Sequence, residues 1–178
     1  MSSRSTAAVE LRDHVRRKQI ERQAEGYLEL GMSQHALDLL AALRDEDMDP
    51  QGWYLRGEAL RALERYAEAL GPLEKVAEAA PNDIAVWLGL AWCYKRAGRI
   101  DRAVYAMEQA LKVEPKEALL HYNLACYLSL AGQKERALGH LSKALAFDPS
   151  YRGMVEGERD FDPIRSDPGF QALVSAVV

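Results

Sequence analysis

At 178 residues the chain is long enough for one domain with its own core, and 48% hydrophobic with 28% charged residues excludes a disordered or membrane-embedded polypeptide. The net charge of −4 is spread over scattered residues of both signs, so no basic face favours nucleic acid or an anionic membrane. The opening MSSRSTAAVELRD lacks the apolar run of a signal sequence and no stretch approaches the ~18 uncharged apolar residues of a membrane span; a cytoplasmic protein without membrane insertion is expected.

Residues 1–6 are small and polar and are expected to fray. From Ala7 to Leu30 the residues Val9, Leu11, Val15, Ile20, Ala24, Tyr27 and Leu28 recur among charges at helical spacing, with residues 1–16 read as an N-terminal extension of the first helix. The local basic cluster Arg12, Arg16, Arg17 and Lys18 has Glu10, Asp13 and Glu21 within a turn and reads as a solvated face. Ser33 is placed as the cap of a helix over Gln34–Leu43, and Asp49-Pro50 after the acidic turn as the cap and first residue of the next. Helices then follow over 50–63, 66–79, 83–97, 100–113, 116–131 and 134–147, with Pro72 expected to kink or shorten the second of these six. Past Pro149, Asp167-Pro168 reads as a helix start, and Phe170, Leu173, Val174 and Val177 form a stripe suited to covering the last hairpin.

These helices repeat. Sliding the stretch Trp87–Pro115 by 34 residues in either direction sets Trp87 on Trp53 and His121, Ala91 on Gly57 and Ala125, Ala103 on Ala69 and Ala137, and Pro115 on Pro81 and Pro149. The small pairs Gly57/Ala69, Ala91/Ala103 and Ala125/Ala137 stand twelve residues apart, which puts one on each helix of a hairpin where the backbones cross most closely. Gly98 and Gly132 supply the turn, and the prolines end each second helix. Trp87, Leu90, Ala91, Tyr94, Gly98, Ala103, Met107, Ala110 and Pro115 together resemble the tetratricopeptide repeat, or TPR. That resemblance implies an all-α fold, a right-handed α-solenoid of helix hairpins with terminal capping helices. Its array covers 17–149, as a degenerate repeat at 17–49 and further repeats at 50–83, 84–117 and 118–149, before a capping segment at 150–178. The tail string DFDPIRSDPGFQALV resembles the segment that closes many bacterial TPR arrays, which implies a structural role.

Nothing in the chain points to catalysis. His14, His35, His121 and His140 are dispersed, there is no phosphate loop and no nucleophile motif, and Cys93 and Cys126 read as reduced packing residues. No metal and no cofactor are expected. The TPR resemblance implies that the first helix of each repeat lines a groove, with contacts at its second, fifth, sixth, ninth, twelfth and thirteenth positions. On this sequence the candidates are Tyr54, Glu58 and Arg61, then Leu88, Trp92, Lys95 and Arg96, then Tyr122, Asn123 and Cys126, with Lys18, Glu21, Glu25 and Leu28 from the degenerate repeat. Trp92 is the anchor favoured among them, while Trp53 and Trp87 are assigned to the core. Glu21 and Glu25 stand where chaperone-binding TPRs place Lys and Asn, which argues against capture of a C-terminal carboxylate. The resulting expectation is a non-catalytic interaction module or scaffold for a protein or peptide partner. A self-assembling homo-oligomer and an accessory subunit of an enzyme are the alternatives. A tail folded into the groove would remove this mode of binding.

Overall fold

The computed structural model describes residues 3–175, and side chains over residues 10–175. Helices account for its regular structure, and they fall in two compact units, residues 1–80 and 81–178.

In the first unit α1 (Ser3–Glu29) pairs with α2 (Ser33–Leu40), and α3 (Pro50–Ala62) pairs with α4 (Tyr66–Ala79). The second unit pairs α5 (Ile84–Arg96) with α6 (Ile100–Val113), and α7 (Ala118–Leu130) with α8 (Lys134–Phe147). It then closes with α9 (Arg152–Val155), a 3₁₀ turn over Arg159–Ile164 and α10 (Pro168–Ser175). The hairpins form because each helix buries one small- and large-apolar stripe: Ala69, Ala91, Ala103, Ala125 and Ala137 are fully buried at the crossings, with Leu73, Met107 and Leu141 sealed behind them. At Gly57 a Cβ would lie 2.6 Å from Leu73 Cδ2, which is why the first member of that pair carries no side chain.

Each first helix ends in the same way. The N–H of Gly31, Gly98 and Gly132, and of Glu64 in the α3 hairpin, bonds back to the carbonyl three residues earlier. The next N–H reaches the carbonyl five residues earlier, as in Arg99 N to Tyr94 O at 2.8 Å. The geometry needs a left-handed residue, and Gly31, Gly98 and Gly132 supply it at φ 72, 74 and 71°. Glu64 adopts φ 58° at the equivalent place without being glycine.

Several boundaries differ from the sequence reading. Residues 3–6 belong to α1, while residues 1 and 2 and Val177 lie outside the described residues. Ser33 is the first residue of α2, not its cap, and that helix stops at Leu40. Pro72 is buried inside α4, which runs on to Ala79: a proline deletes one N–H and the buried flanks Leu70, Leu73 and Val76 hold the turns on either side. Asp49 and Pro50 do start α3, with the Asp49 carboxylate accepting from Gly52 N at 3.1 Å, and Asp167 likewise accepts from Gly169 N at 2.8 Å at the head of α10.

Candidate functional site

The first-helix faces are built by opposite local forces in the two units. In the first unit Glu21 is drawn inward while Lys18 stays exposed beside it. Lys18 Nζ donates to Glu21 Oε2 at 2.9 Å and to Asp49 Oδ2 at 2.8 Å, and Arg17 Nη1 donates to the Asp47 carbonyl at 3.1 Å. Glu21 is buried, and that burial pushes its carboxyl up against the countering bond from Lys18. Burial also pushes Asp49 up, but the hydrogen bonds from Lys18 and the Gly52 N–H outweigh it and hold the carboxyl at about 2. These charges tie α1 to the head of α3. On α3, Tyr54 and Glu58 are half-buried, and the Arg61 guanidinium grips Glu58 with two bonds, at 3.0 Å and 2.5 Å.

In the second unit the candidates separate. On α5, Leu88 is half-buried and Trp92 is 41% exposed, an unusual place for so large an apolar ring. Lys95 Nζ lies 5.5 Å and Arg96 Cζ 5.9 Å from the Trp92 ring centroid, which puts positive charge against its face. On α7, Asn123 is half-buried while Tyr122 and Cys126 are buried, and what buries them is the tail. Tyr122 packs against Tyr151 at 4.9 Å and edge-on to Phe161 at 5.7 Å, and Phe161, fully buried, meets Phe170 at 5.5 Å. Asp160 pairs with Lys95. Tyr122, Cys126 and Lys95 therefore face the chain's own segment, not solvent, which is the physical correction to their reading as open groove residues.

The tail also brings together groups that no spacing in the sequence connects. Ligand atoms of Cys126, Glu158 and Asp160 lie within 4.8 Å of one another. Burial pushes the Cys126 thiol well up, and the two carboxylates push it further, so the sulfur stays protonated, while Lys95 supplies the positive charge beside Asp160. Cys93 and Cys126 are both free and buried.

The signature aromatic positions are structural. Trp53, Trp87 and His121 are each the fourth residue of their helix. Trp53 is buried with Lys75 Nζ 3.7 Å over its ring, and Trp87, half-buried, donates from Nε1 to the Pro81 carbonyl at 2.7 Å. His121 Nε2 makes the same bond to the Pro115 carbonyl at 3.0 Å. A carbonyl only accepts, so Nε2 carries the proton and His121 Nδ1 accepts from His140 Nδ1 at 2.8 Å. Burial, followed by the neighbouring His121, Lys143 and Arg136, lowers His140 to about 4.

Three family models described as tetratricopeptide repeat match residues 21–84, 60–121 and 106–139. The chain belongs to the tetratricopeptide repeat family. Among solved structures, its TPR hairpins are similar to YrrB, described as a TPR protein with an unusual peptide-binding site, at 24% identity and TM-score 0.68 over 75% of this chain and 70% of that one. They are similar to MamA MSR-1 at 27% identity and TM-score 0.65, over 71% and 74%. A third likeness is to MamA from Desulfovibrio magneticus RS-1, at 22% and 0.66, over 75% and 76%. No curated protein matches the chain. Among the described residues of this TPR protein, no helix is long and apolar enough to cross a membrane.

Proposed function

We propose that this TPR chain is a non-catalytic interaction module that captures a peptide or helix of a protein partner on the first-helix face of its second unit, with Trp92 as the anchor. The observation that carries this is the exposure of Trp92 beside Lys95 and Arg96 on α5. An indole left in water beside the Arg96 guanidinium suits a ligand that brings an apolar side chain to cover the ring. Leu88 on α5 and Asn123 on α7 extend that face, and Tyr54, Glu58 and Arg61 form a separate face in the first unit. The peptide-binding site named for YrrB agrees with such a role.

Selection of a displayed random-peptide library against the full chain tests it. Peptides recovered on the parent protein should lose at least tenfold in affinity for Trp92→Ala and for Arg96→Glu, both checked for unchanged helicity. Peptides that bind both variants as they bind the parent would place recognition elsewhere and refute the proposal.

A further inference from the structure

We infer that the turn Arg159–Ile164 is a built-in ligand, seated where a partner binds, and that it yields to a partner peptide carrying an acidic residue followed by an aromatic one. This rests on the reading of the α5 and α7 face as a binding surface and names both its regulation and the chemistry of its ligand.

Two contacts define the seat. The Asp160 carboxylate pairs with Lys95, the two side chains being only 13% and 21% exposed. The next residue, Phe161, enters a pocket of Tyr122, Phe170 and Tyr151, the last through Tyr122. An acid beside an aromatic ring is therefore what this surface accepts, and Lys95 links the seat to the exposed Trp92 ring 5.5 Å away. The fit is incomplete. Tyr122 Oη is buried beneath the tail without a hydrogen-bond partner. A buried polar group left unpaired costs stability, so a ligand that also brings a donor or acceptor to it is favoured over the chain's own turn. In cis the turn adds to these contacts the advantage of a high effective concentration.

The probe is a fluorescein-labelled synthetic peptide with the sequence of residues 156–166, EGERDFDPIRS, added to the full chain and followed by anisotropy. The proteins are the parent, Asp160→Asn, which removes the ion pair while keeping the side-chain shape, and Asp160→Asn combined with Lys95→Met. Circular dichroism and a thermal melt confirm that each is folded. Binding to Asp160→Asn should be at least tenfold tighter than to the parent, because the in-cis competitor is weakened. It should be lost in the double variant, and lost for a control peptide with Asn and Ala in place of the Asp-Phe pair. Equal affinity for parent and Asp160→Asn, binding of the control peptide, or no binding to Asp160→Asn would each overturn the inference. If library peptides depend on Trp92 while EGERDFDPIRS does not bind Asp160→Asn, the built-in ligand falls and the Trp92 surface stands.

Discussion

Glu64→Gly should make the protein more stable. Glu64 stands at φ 58° in the place that Gly98 and Gly132 fill at 74 and 71° in the next two hairpins. A side-chain-bearing residue in that region costs roughly 1–2 kcal/mol from the clash of Cβ with the following carbonyl. Glycine removes this, but the freer unfolded chain takes back about 0.5–1 kcal/mol. Glu64 is exposed, so its side chain surrenders no burial. The net expectation is a gain of about 0.5–1 kcal/mol, read as a shift of the urea midpoint by circular dichroism with an unchanged slope. The reciprocal Gly98→Glu should lose a similar amount, about 0.5–1 kcal/mol, since the stiffer unfolded chain offsets part of the strain. A Glu64→Gly protein no more stable than the parent would show that the turn is not strained and refute the reasoning.

Three further outcomes are expected. Gly57→Ala places a Cβ 2.6 Å from Leu73 Cδ2 and should destabilise the α3–α4 crossing by about 1 kcal/mol, the low end of overpacking, because Ala125 and Leu141 already coexist at the equivalent crossing; a thermal melt checks it. Asp49→Ala removes both the α3 cap and the bond to Lys18 and should cost about 2 kcal/mol in urea; the contribution is present above pH 3.8 and fades as the pH falls towards 2, the folded value. His140, lowered from 6.5 to about 4, is protonated preferentially in the unfolded chain, so its contribution is complete above pH 6.5 and is lost as the pH falls through that window to 4. At about 1.4 kcal/mol per pH unit, and discounting by about half for partial solvation of the ring, the loss is on the order of 1–2 kcal/mol. His140→Gln should flatten the stability slope between pH 4 and 6.5 relative to the parent; an identical slope would count against this account.

Much of the architecture was legible because a TPR hairpin is specified by short-range needs. The 34-residue period, the small residues at the crossings and the proline stops all act within a few turns, and the six helices between Pro50 and Phe147 begin and end within two residues of their expected limits. The tail placement was not legible: the contacts of Asp160 and Phe161 with Lys95 and Tyr122 join residues far apart in the chain, and an ion pair of that span leaves no periodic trace. The same holds for Lys18 and Glu21: helical position marked both as groove residues, but Lys18 bridges Glu21 to Asp49 at the head of α3, and Glu21 is buried beneath that bridge. Trp92 was singled out by its position on the helix, and the structure leaves its ring exposed while Trp53, expected in the core, is buried.

His121 takes over a tryptophan's place and makes the tryptophan's bond, ring nitrogen to the proline carbonyl six residues upstream. What the α5 and α7 hairpins share at that corner is thus a flat ring with one N–H aimed at one oxygen, and the indole is only one way of providing it. A repeat search spelled in letters undervalues such a corner, whereas one that scores any planar donor there would count the α7 hairpin on equal terms with its neighbour. The exchange also frees a second ring nitrogen that indole lacks, and His121 uses it to hold His140 at 2.8 Å, so the corner is stitched to the second helix of its own hairpin by a bond no tryptophan could make.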